Sequence, residues 1–295
     1  MTDKLYDIVF VGNYTKDTII SKSGSRNVHG GAVNYGAHLA ARLGMDVAVV
    51  TRLAEEDAEM VEILEAAGVD VYAAYTPQST TFILEYPTDN VDHRIIHHQA
   101  YAGNITVEQV KDIRAKIFAI GPSIRGEVPL EVIKVFKEQG AKVSLDVQGY
   151  IRVVEDNILV NRNWPEIGDY LALVDVLKTD AVEAEGLTGE SDRYKAAAIL
   201  AGYGPKEVVL THRNGILVYD GQNYYEQGFF PKELVGRSGR GDTVIATYMA
   251  ARLEHLPEEA LIWAAAATSL KLEAEGPFKR SKADVEELIN SKYRT

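Results

Sequence analysis

The 295-residue sequence contains no cysteine, which excludes disulfide bonds, thiolate metal sites and a cysteine nucleophile. It also lacks an apolar run of the roughly 18 residues that a membrane-spanning helix requires. The first residues, Met1–Asp7, do not have the apolar core of a signal peptide. We therefore expect a protein of the reducing cytoplasm that does not bind a membrane.

Basic residues are scarce relative to acidic ones. The chain has 31 Lys and Arg against 43 Asp and Glu, and its formal charge is −12 at pH 7. Such a surface repels the phosphates of nucleic acids and of anionic lipids, so we expect neither as a partner. A phosphate-bearing ligand would need local cations or a metal ion. The hydrophobic share of 46% is that of an ordinary globular chain with a sizeable core.

What the chain does have is a glycine-rich turn that leads into an apolar helix, over residues 235–253. Gly239 and Gly241 have no Cβ, so the backbone there can approach a ligand closely. The first N–H groups of a helix have no intrahelical partner and form an anion site. Asp242 stands at this site. It either caps the helix or takes a proton from a hydroxyl that attacks a bound phosphate.

Short apolar strands alternate with helices along most of the chain. The predicted strands lie at 6–12, 47–51, 115–120, 142–147, 174–178, 207–211 and 216–219. The predicted helices lie at 30–44, 57–67, 107–113, 130–139, 194–201, 257–274 and 282–290. Repeated βα units of this kind predict an α/β fold, with a mostly parallel central sheet and helices on both faces. We expect a single domain over residues 1–295.

Residues 71–101 differ from this alternation. Thr80–Tyr86 and His93–His98 are β-rich segments joined by the turn Pro87–Asn90, which predicts a hairpin flap. Such a flap covers a substrate or pairs with a second subunit, and we expect a homodimer through its exposed edge. His93, His97 and His98 suggest a metal site, but no further ligand is spaced to complete one.

Polar clusters follow several predicted strands. They are Asn13–Asp17, Asp146–Arg152, Asp180–Glu183, Thr211–Gly215 and Gly239–Asp242. The carboxyl ends of strands in an open α/β sheet meet at one edge, so we expect these clusters to converge. Asp180 and Glu183 form a capping box or hold Mg²⁺ through water. A phosphate cradle, a divalent ion and a base together indicate phosphoryl transfer.

The order of these motifs resembles the ribokinase-like (PfkB) carbohydrate kinase family. The matching segments are Ser238–Thr243 for the C-terminal signature, Gly30-Gly31 with Leu43-Gly44 for the N-terminal signature, Lys178–Glu183 for the Asn-x-x-Glu motif and Thr211–Gly215 for the nucleotide segment. Asp17 and Asp146 fall where the family carries aspartates. The resemblance implies a ribokinase-like fold whose small β lid is inserted around 13–30 and 71–101.

The resemblance also implies an enzyme, a kinase that uses ATP and Mg²⁺ to phosphorylate a hydroxyl of a small sugar, polyol or cyclitol. Asp242 would be the general base, and the amides of Gly239, Arg240 and Gly241 would form the anion hole. The nucleotide and the metal ion would be bound by Asp180, Glu183, Thr211, Arg213, Gly215 and Ser238, with Glu183 holding Mg²⁺ through water. The acceptor would be bound by Asn13, Asp17, Gly30, Gly31, Asn34, Thr81, Arg94 and Asp146.

The chain departs from the family pattern at a few positions. Arg240 replaces the usual alanine, and either adds a cation against phosphate or points to solvent. Gly236 stands where an aspartate is frequent, so the resemblance does not predict a monovalent-cation site. Asp180 replaces asparagine. Tyr35 aligns with the family's substrate-binding asparagine, which speaks against ribose. The motifs look most like the archaeal-type branch that includes inositol kinases, and myo-inositol is a candidate acceptor.

Two other functions stay open at this stage. A nucleoside kinase of the same fold would use flap aromatics such as Phe82 or Tyr86 to stack a base. A non-catalytic sugar- or nucleotide-binding regulator would need no base, so the presence of both Asp242 and Glu183 speaks against it.

Overall fold

The computed structural model describes residues 4–22, 24–88 and 94–294. Its strands are β1 Leu5–Val11, β2 Thr15–Ser21, β3 Gly24–Gly30, β4 Val47–Ala54, β5 Asp70–Thr76, β6 Thr80–Glu85, β7 Ile95–Ala100, β8 Arg114–Ile120, β9 Lys142–Asp146, β10 Arg152–Glu155, β11 Ile158–Asn161, β12 Val176–Asp180, β13 Glu207–His212, β14 Gly215–Tyr219 and β15 Tyr224–Gly228. Its helices are α1 Ala32–Arg42, α2 Glu59–Ala66, α3 Val107–Val110, α4 Leu130–Glu138, α5 Gln148–Ile151, α6 Ile167–Leu171, α7 Ala181–Thr188, α8 Arg193–Ala201, α9 Arg240–Ala251, α10 Pro257–Leu272 and α11 Lys282–Leu288.

Nine of these strands form the central sheet, in the order β15-β14-β13-β12-β9-β8-β1-β4-β5. Every neighbouring pair from β13 to β5 is parallel, whereas β14 pairs antiparallel with both β13 and β15. The predicted α/β fold with a mostly parallel sheet is therefore confirmed. The sequence analysis did not predict β15, which extends the sheet by a second tight turn.

Helices cover both faces of the sheet. Alternate residues of β1 show how the strands divide between two cores: Ile8 and Phe10 belong to the core that contains α1, α9 and α10, whereas Val9 and Val11 belong to the core that contains α4 and α8. Side chains alternate between the faces of a strand, so one apolar strand serves both cores. No helix in the described ranges has the length and apolar character needed to cross a bilayer.

A second sheet forms the lid, in the order β10-β11-β7-β6-β2-β3. The predicted lid segment at 71–101 begins too early, because β5 pairs with β4 in the central sheet and the lid strand starts at Thr80. Part of the predicted turn, and His93 with it, lies outside the described residues. The hairpin β10–β11 was missed, although its turn residues Asp156 and Asn157 adopt positive φ of 48° and 62°, a conformation these residue types tolerate.

The chain order places a ligand site between β1 and β8. After β1 the chain continues to β4 and β5 on one side, and the later strands β8, β9 and β12 lie on the other. At such a reversal the loops beyond the strands diverge and leave a crevice. The loop after β8 and the N-terminus of α9 border this crevice, and the lid lies over it.

Candidate active site

A cavity of about 130 Å³ lies between the lid and the carboxyl ends of the central strands. Charged side chains from separate elements line it: Asp17 from β2, Arg94 before β7, Asp146 at the end of β9, Arg152 from β10 and Asp242 from α9. Gly31, Ser238 and Gly239 also border it. The structure thus brings together residues from opposite ends of the sequence, from Asp17 to Asp242.

Asp242 is the third residue of α9, and it does not cap the helix. The N-cap is Gly239, and no side chain makes a capping hydrogen bond there. The carboxylate borders the cavity instead. Burial raises the pKa of Asp242 to about 6, with a further rise from Asp146 that the nearby cations oppose. A carboxylate with this pKa is ionised at neutral pH and suited to accept a proton.

The loop before Asp242 has the conformation that only glycine adopts easily. Gly239 has φ of 74°, and a Cβ added there would lie 2.2 Å from the Tyr35 ring of α1. Helix α1, which follows Gly30-Gly31, is therefore in direct contact with the loop that holds the predicted anion donors Gly239–Gly241. We call this segment the anion loop. The Arg240 N–H, one of the three predicted anion donors, already donates to Arg237 O at 3.2 Å. It contributes to an anion hole only if that hydrogen bond is shared or broken.

A buried lysine lies beneath this loop. Lys178 is 4% exposed, and its Nζ lies 3.0 Å from Asp146 Oδ2 and 4.0 Å from Glu183 Oε2. Lys178 and Asp146 are register partners in neighbouring parallel strands. A Cβ added at Gly241 would lie 2.8 Å from the same Nζ. The surrounding carboxylates raise the Lys178 pKa against the effect of burial, so the ammonium stays charged.

Asp180 and Glu183 form the predicted capping box at the start of α7. The Glu183 N–H donates to Asp180 Oδ1 and the Asp180 N–H donates to Glu183 Oε2, both at 2.8 Å. The Glu183 carboxylate is also buried beside Lys178, and burial raises its pKa. Capping and a role near a metal ion are compatible, because a carboxylate has up to four acceptor positions.

Within the described ranges, no three acidic or histidine side chains are arranged to hold a metal ion directly. Mg²⁺ needs only one or two protein carboxylates, and it retains waters and binds donor phosphates. Glu183, with Asp180 and Asp146 nearby, fits that mode of binding. Such an ion would neutralise charge on the donor phosphates during transfer.

Asp17 lies on the lid side of the cavity. Burial raises its pKa to about 6, which Arg94 and Arg152 oppose. Its Oδ1 is buried without a hydrogen-bond partner among the described residues, so it is available to a ligand. Gly30 makes this position possible, because a Cβ there would lie 2.2 Å from Asp17 Oδ2. Gly30 therefore leaves room for the Asp17 carboxylate and does not itself border the cavity.

Other predicted acceptor-binding residues lie outside this cavity. Asn13 is buried and donates to Gly103 O and to Thr80. Asn34 donates to His29 O and borders a larger cavity behind Tyr35. Thr81 donates to Ser79 O. In the structure these three side chains support the loops and lid around the site.

The predicted nucleotide segment forms the tight connection between β13 and β14. Thr211 is buried and its Oγ1 donates to Thr179 O at 3.4 Å, whereas Arg213 is exposed. Gly215, the first residue of β14, pairs with Gly228 of β15. The segment lies beside Asp180, the register partner of Thr211. This places it next to the capping box, on the side away from the lid, and its role with a nucleotide stays a prediction.

The sequence analysis assigned no role to several residues that shape the site. Arg152 borders the cavity, and burial lowers its pKa to about 10. Glu127 is fully buried and accepts hydrogen bonds from Asn13 N, at 2.6 Å, and from the amide and hydroxyl of Ser123. It thereby ties the loop after β1 to the loop after β8. A glutamate in an apolar stretch was the available signal.

Comparison with known proteins agrees with this geometry. The model of the pfkB family carbohydrate kinases matches residues 4–281. The chain belongs to the pfkB family. It is therefore a phosphotransferase that uses a hydroxyl group as acceptor, as its motif order predicted.

The chain is similar to two relatives and to one more distant solved structure. A pyrophosphate-dependent kinase in the ribokinase family, solved with a pyrophosphate analog and myo-inositol, is 32% identical, with a TM-score of 0.87 over 95% of this chain and 99% of that one. The cytidine kinase of Thermococcus kodakarensis is 28% identical over 83% of this chain and 88% of its own length. Arabidopsis thaliana ribokinase with ribose and ATP is 22% identical, with a TM-score of 0.78 over 97% of this chain and 99% of that one. That last likeness shows the fold alone.

Proposed function

We propose that this chain phosphorylates a hydroxyl of a cyclitol, with myo-inositol as the leading candidate. The observation that carries the proposal is the small, charged cavity that Asp17, Arg94 and Asp242 line together. The likeness to a pyrophosphate-dependent kinase solved with myo-inositol supports it.

The size of the cavity limits the acceptor to a small molecule. Its volume of about 130 Å³ is slightly below the roughly 150 Å³ of a cavity that holds one benzene molecule, so the lid must open somewhat even for a single hydroxylated ring. A nucleoside carries a base in addition to its sugar and would need the lid to move further outward. The carboxylates and guanidinium groups of the wall match a ring that bears hydroxyls on several carbons, because each hydroxyl both donates and accepts hydrogen bonds.

The proposed reaction is a single transfer step. The acceptor oxygen attacks the terminal phosphorus of the donor, the bond to the bridging oxygen breaks, and the remaining phosphate leaves with the bond electrons. Asp242 takes the hydroxyl proton as the new bond forms. The amides of Gly239 and Gly241 and the Lys178 ammonium stabilise the charge on the transferred group. Asp17 orients the acceptor.

For the donor we propose pyrophosphate, with ATP as the alternative that the sequence predicted. Two relatives at 32–33% identity over 95% of this chain are named pyrophosphate-dependent. Both donors end in a diphosphate unit whose terminal phosphoryl group is transferred, so the anion loop and Lys178 suit either. ATP finds support in the Thr211–Gly215 hairpin, which resembles the family's nucleotide segment.

A nucleoside kinase is the second candidate, because the Thermococcus kodakarensis relative is named a cytidine kinase. Phe82 of the lid borders the cavity and offers a ring on which a base could stack. The non-catalytic regulator is not proposed, since the chain belongs to an enzyme family.

A matrix of donors and acceptors tests the proposal. Pyrophosphate and ATP are each combined with myo-inositol, ribose, cytidine and no acceptor, with and without Mg²⁺, and the phosphomonoester is quantified by ³¹P NMR. We expect the highest kcat/KM with myo-inositol and pyrophosphate, and loss of transfer on removal of Mg²⁺. Preference for cytidine would replace the proposed acceptor, and preference for ATP would replace the proposed donor.

A homodimer through the lid and a cytoplasmic location stay predictions. The edge strand β3 is mostly exposed, as an edge available for pairing would be. Light scattering of the purified chain, compared with a variant that carries proline at Asn27 of this edge, tests the dimer.

A further inference from the structure

Lys271 is a buried lysine that the reaction described above does not use. It lies at the C-terminal end of α10 and is 2% exposed, although lysine is seldom buried without partners. Its Nζ donates to Gly236 O at 3.2 Å. The same Nζ lies 5.9 Å from the centroid of the Tyr35 ring, which is within cation–π range.

These contacts act on the loop that leads into α9. The amides of Val235 and Gly236 both donate to Leu272 O, at 2.9 and 3.1 Å. The loop therefore makes hydrogen bonds to the end of α10 both as donor and as acceptor. Its amides donate to the Leu272 carbonyl, and the Gly236 carbonyl accepts from the Lys271 ammonium. Gly239, where the anion-binding backbone begins, follows three residues later.

Lys271 is mainly ionised at neutral pH. Burial and the charge of Lys279 lower its pKa, the charge of Asp242 raises it, and together they bring the pKa to about 8. At neutral pH the ammonium is therefore mainly protonated. Because Asp242 interacts with it electrostatically, Lys271 contributes positive charge near the base, in addition to that of Lys178.

We propose that Lys271 is a positioning residue, a cation built into the chain that fixes the Val235–Gly239 loop and so the amides that bind the transferred phosphoryl group. Because this position already holds a positive charge, transfer needs no soluble monovalent cation there. The inference takes the Asp242-dependent transfer proposed above as the reaction.

The surroundings make the inference testable by chemical rescue. Lys271 borders a cavity of about 1160 Å³ on the other side of Tyr35 from the acceptor cavity. Truncation of the side chain would leave a space that opens to this cavity, with the Gly236 carbonyl exposed at its end. Ammonium or K⁺ can then take the position of the lost Nζ.

Three variants test the role. Lys271→Met keeps the apolar stem without the charge, Lys271→Ala leaves space for an ion, and Lys279→Met removes a charge from the same cavity without touching the loop. We expect kcat to fall about tenfold or more in both Lys271 variants, with a smaller change in the acceptor KM. Lys271→Met should melt near the wild-type temperature, since an apolar side chain tolerates this buried position.

Cation dependence separates positioning from a merely structural role. About 0.1 M KCl or NH₄Cl should restore part of kcat to Lys271→Ala and raise its melting temperature, because an ion that binds only the native state stabilises it. Choline chloride at the same ionic strength should do neither, and wild type should not respond to K⁺. Any one of four results would overturn the inference. Two concern the controls: activation of wild type by K⁺, or a loss of kcat in Lys279→Met equal to that in the Lys271 variants. The other two are an unchanged kcat in Lys271→Met and the absence of a cation effect on Lys271→Ala. If wild type phosphorylates no acceptor, the proposed function fails, while the melting comparison still decides the role of Lys271.

Discussion

Replacement of Asp242 by asparagine should abolish transfer while it stabilises the fold. Asn retains the size of the side chain but cannot take a proton from the acceptor. A positioned general base contributes about 10²- to 10⁴-fold to a rate, so kcat should fall by about that factor with little change in the donor KM.

The gain in stability follows from the raised pKa of Asp242. Its pKa is about 6 in the folded chain against 3.8 for the free side chain, a shift of about 2 units. A raised folded pKa favours the fold below pH ~4, and this contribution is lost as the pH rises through 6, so the ionised carboxylate costs stability at pH 7.5. At about 1.4 kcal/mol per unit the cost is at most about 3 kcal/mol, and partial solvent contact reduces it to about 1–2 kcal/mol.

Steady-state kinetics and thermal unfolding at pH 7.5 measure both effects. The melting temperature of Asp242→Asn should rise by a few degrees, at about 2–4 °C per kcal/mol for a chain of this size. The control is Asp112→Asn, which removes an exposed carboxylate that does not border the cavity and should change neither quantity. Two results would refute the assignment of Asp242 as a general base whose ionisation destabilises the fold. One is a variant that retains more than about a tenth of kcat, and the other is a melting temperature that falls by several degrees.

Three further predictions follow from the site. The kcat/KM of wild type should rise about a hundredfold per pH unit well below pH ~6 and then level off, because Asp242 and Asp17 must both be ionised; an acid limb centred near pH 4 would contradict their raised pKa values. Gly239→Ala should lose activity and about 2–4 kcal/mol of stability by urea unfolding, since the new Cβ meets the Tyr35 ring, whereas Gly140→Ala, with φ of 75° and open space, should lose only about 1 kcal/mol. Glu127→Ala should cost about 3 kcal/mol in the same assay because it leaves buried donors unpaired, and equal destabilisation by the exposed control Glu138→Ala would contradict this.

Local signals were sufficient for much of the fold. The apolar runs of β1, β8, β9 and β13 are long enough, and the helices between them periodic enough, to predict parallel βα units. The chain order of the polar clusters then placed Asp17, Asp146 and Asp242 at one edge of the sheet, where the structure has them. Asp180 and Glu183 form the capping box that their spacing indicated.

The rest depends on contacts that no local pattern encodes. Lys178 reads as a solvated lysine in sequence, and only the register of β12 against β9 places it beside Asp146. In the sequence, Tyr35 is one residue of a predicted helix. Only the packing of α1 on the anion loop places its ring against Gly239. Lys271 likewise acquires its partner from a loop 35 positions away in the chain.

A structure of the chain with myo-inositol and a non-hydrolysable pyrophosphate analog tests the central claim most directly. The account predicts one inositol hydroxyl about 2.6–3.2 Å from the Asp242 carboxylate, a second on Asp17, and the terminal phosphonate on the amides of Gly239 and Gly241. An acceptor bound outside the cavity that the lid covers, or a phosphonate that contacts neither amide, would contradict it.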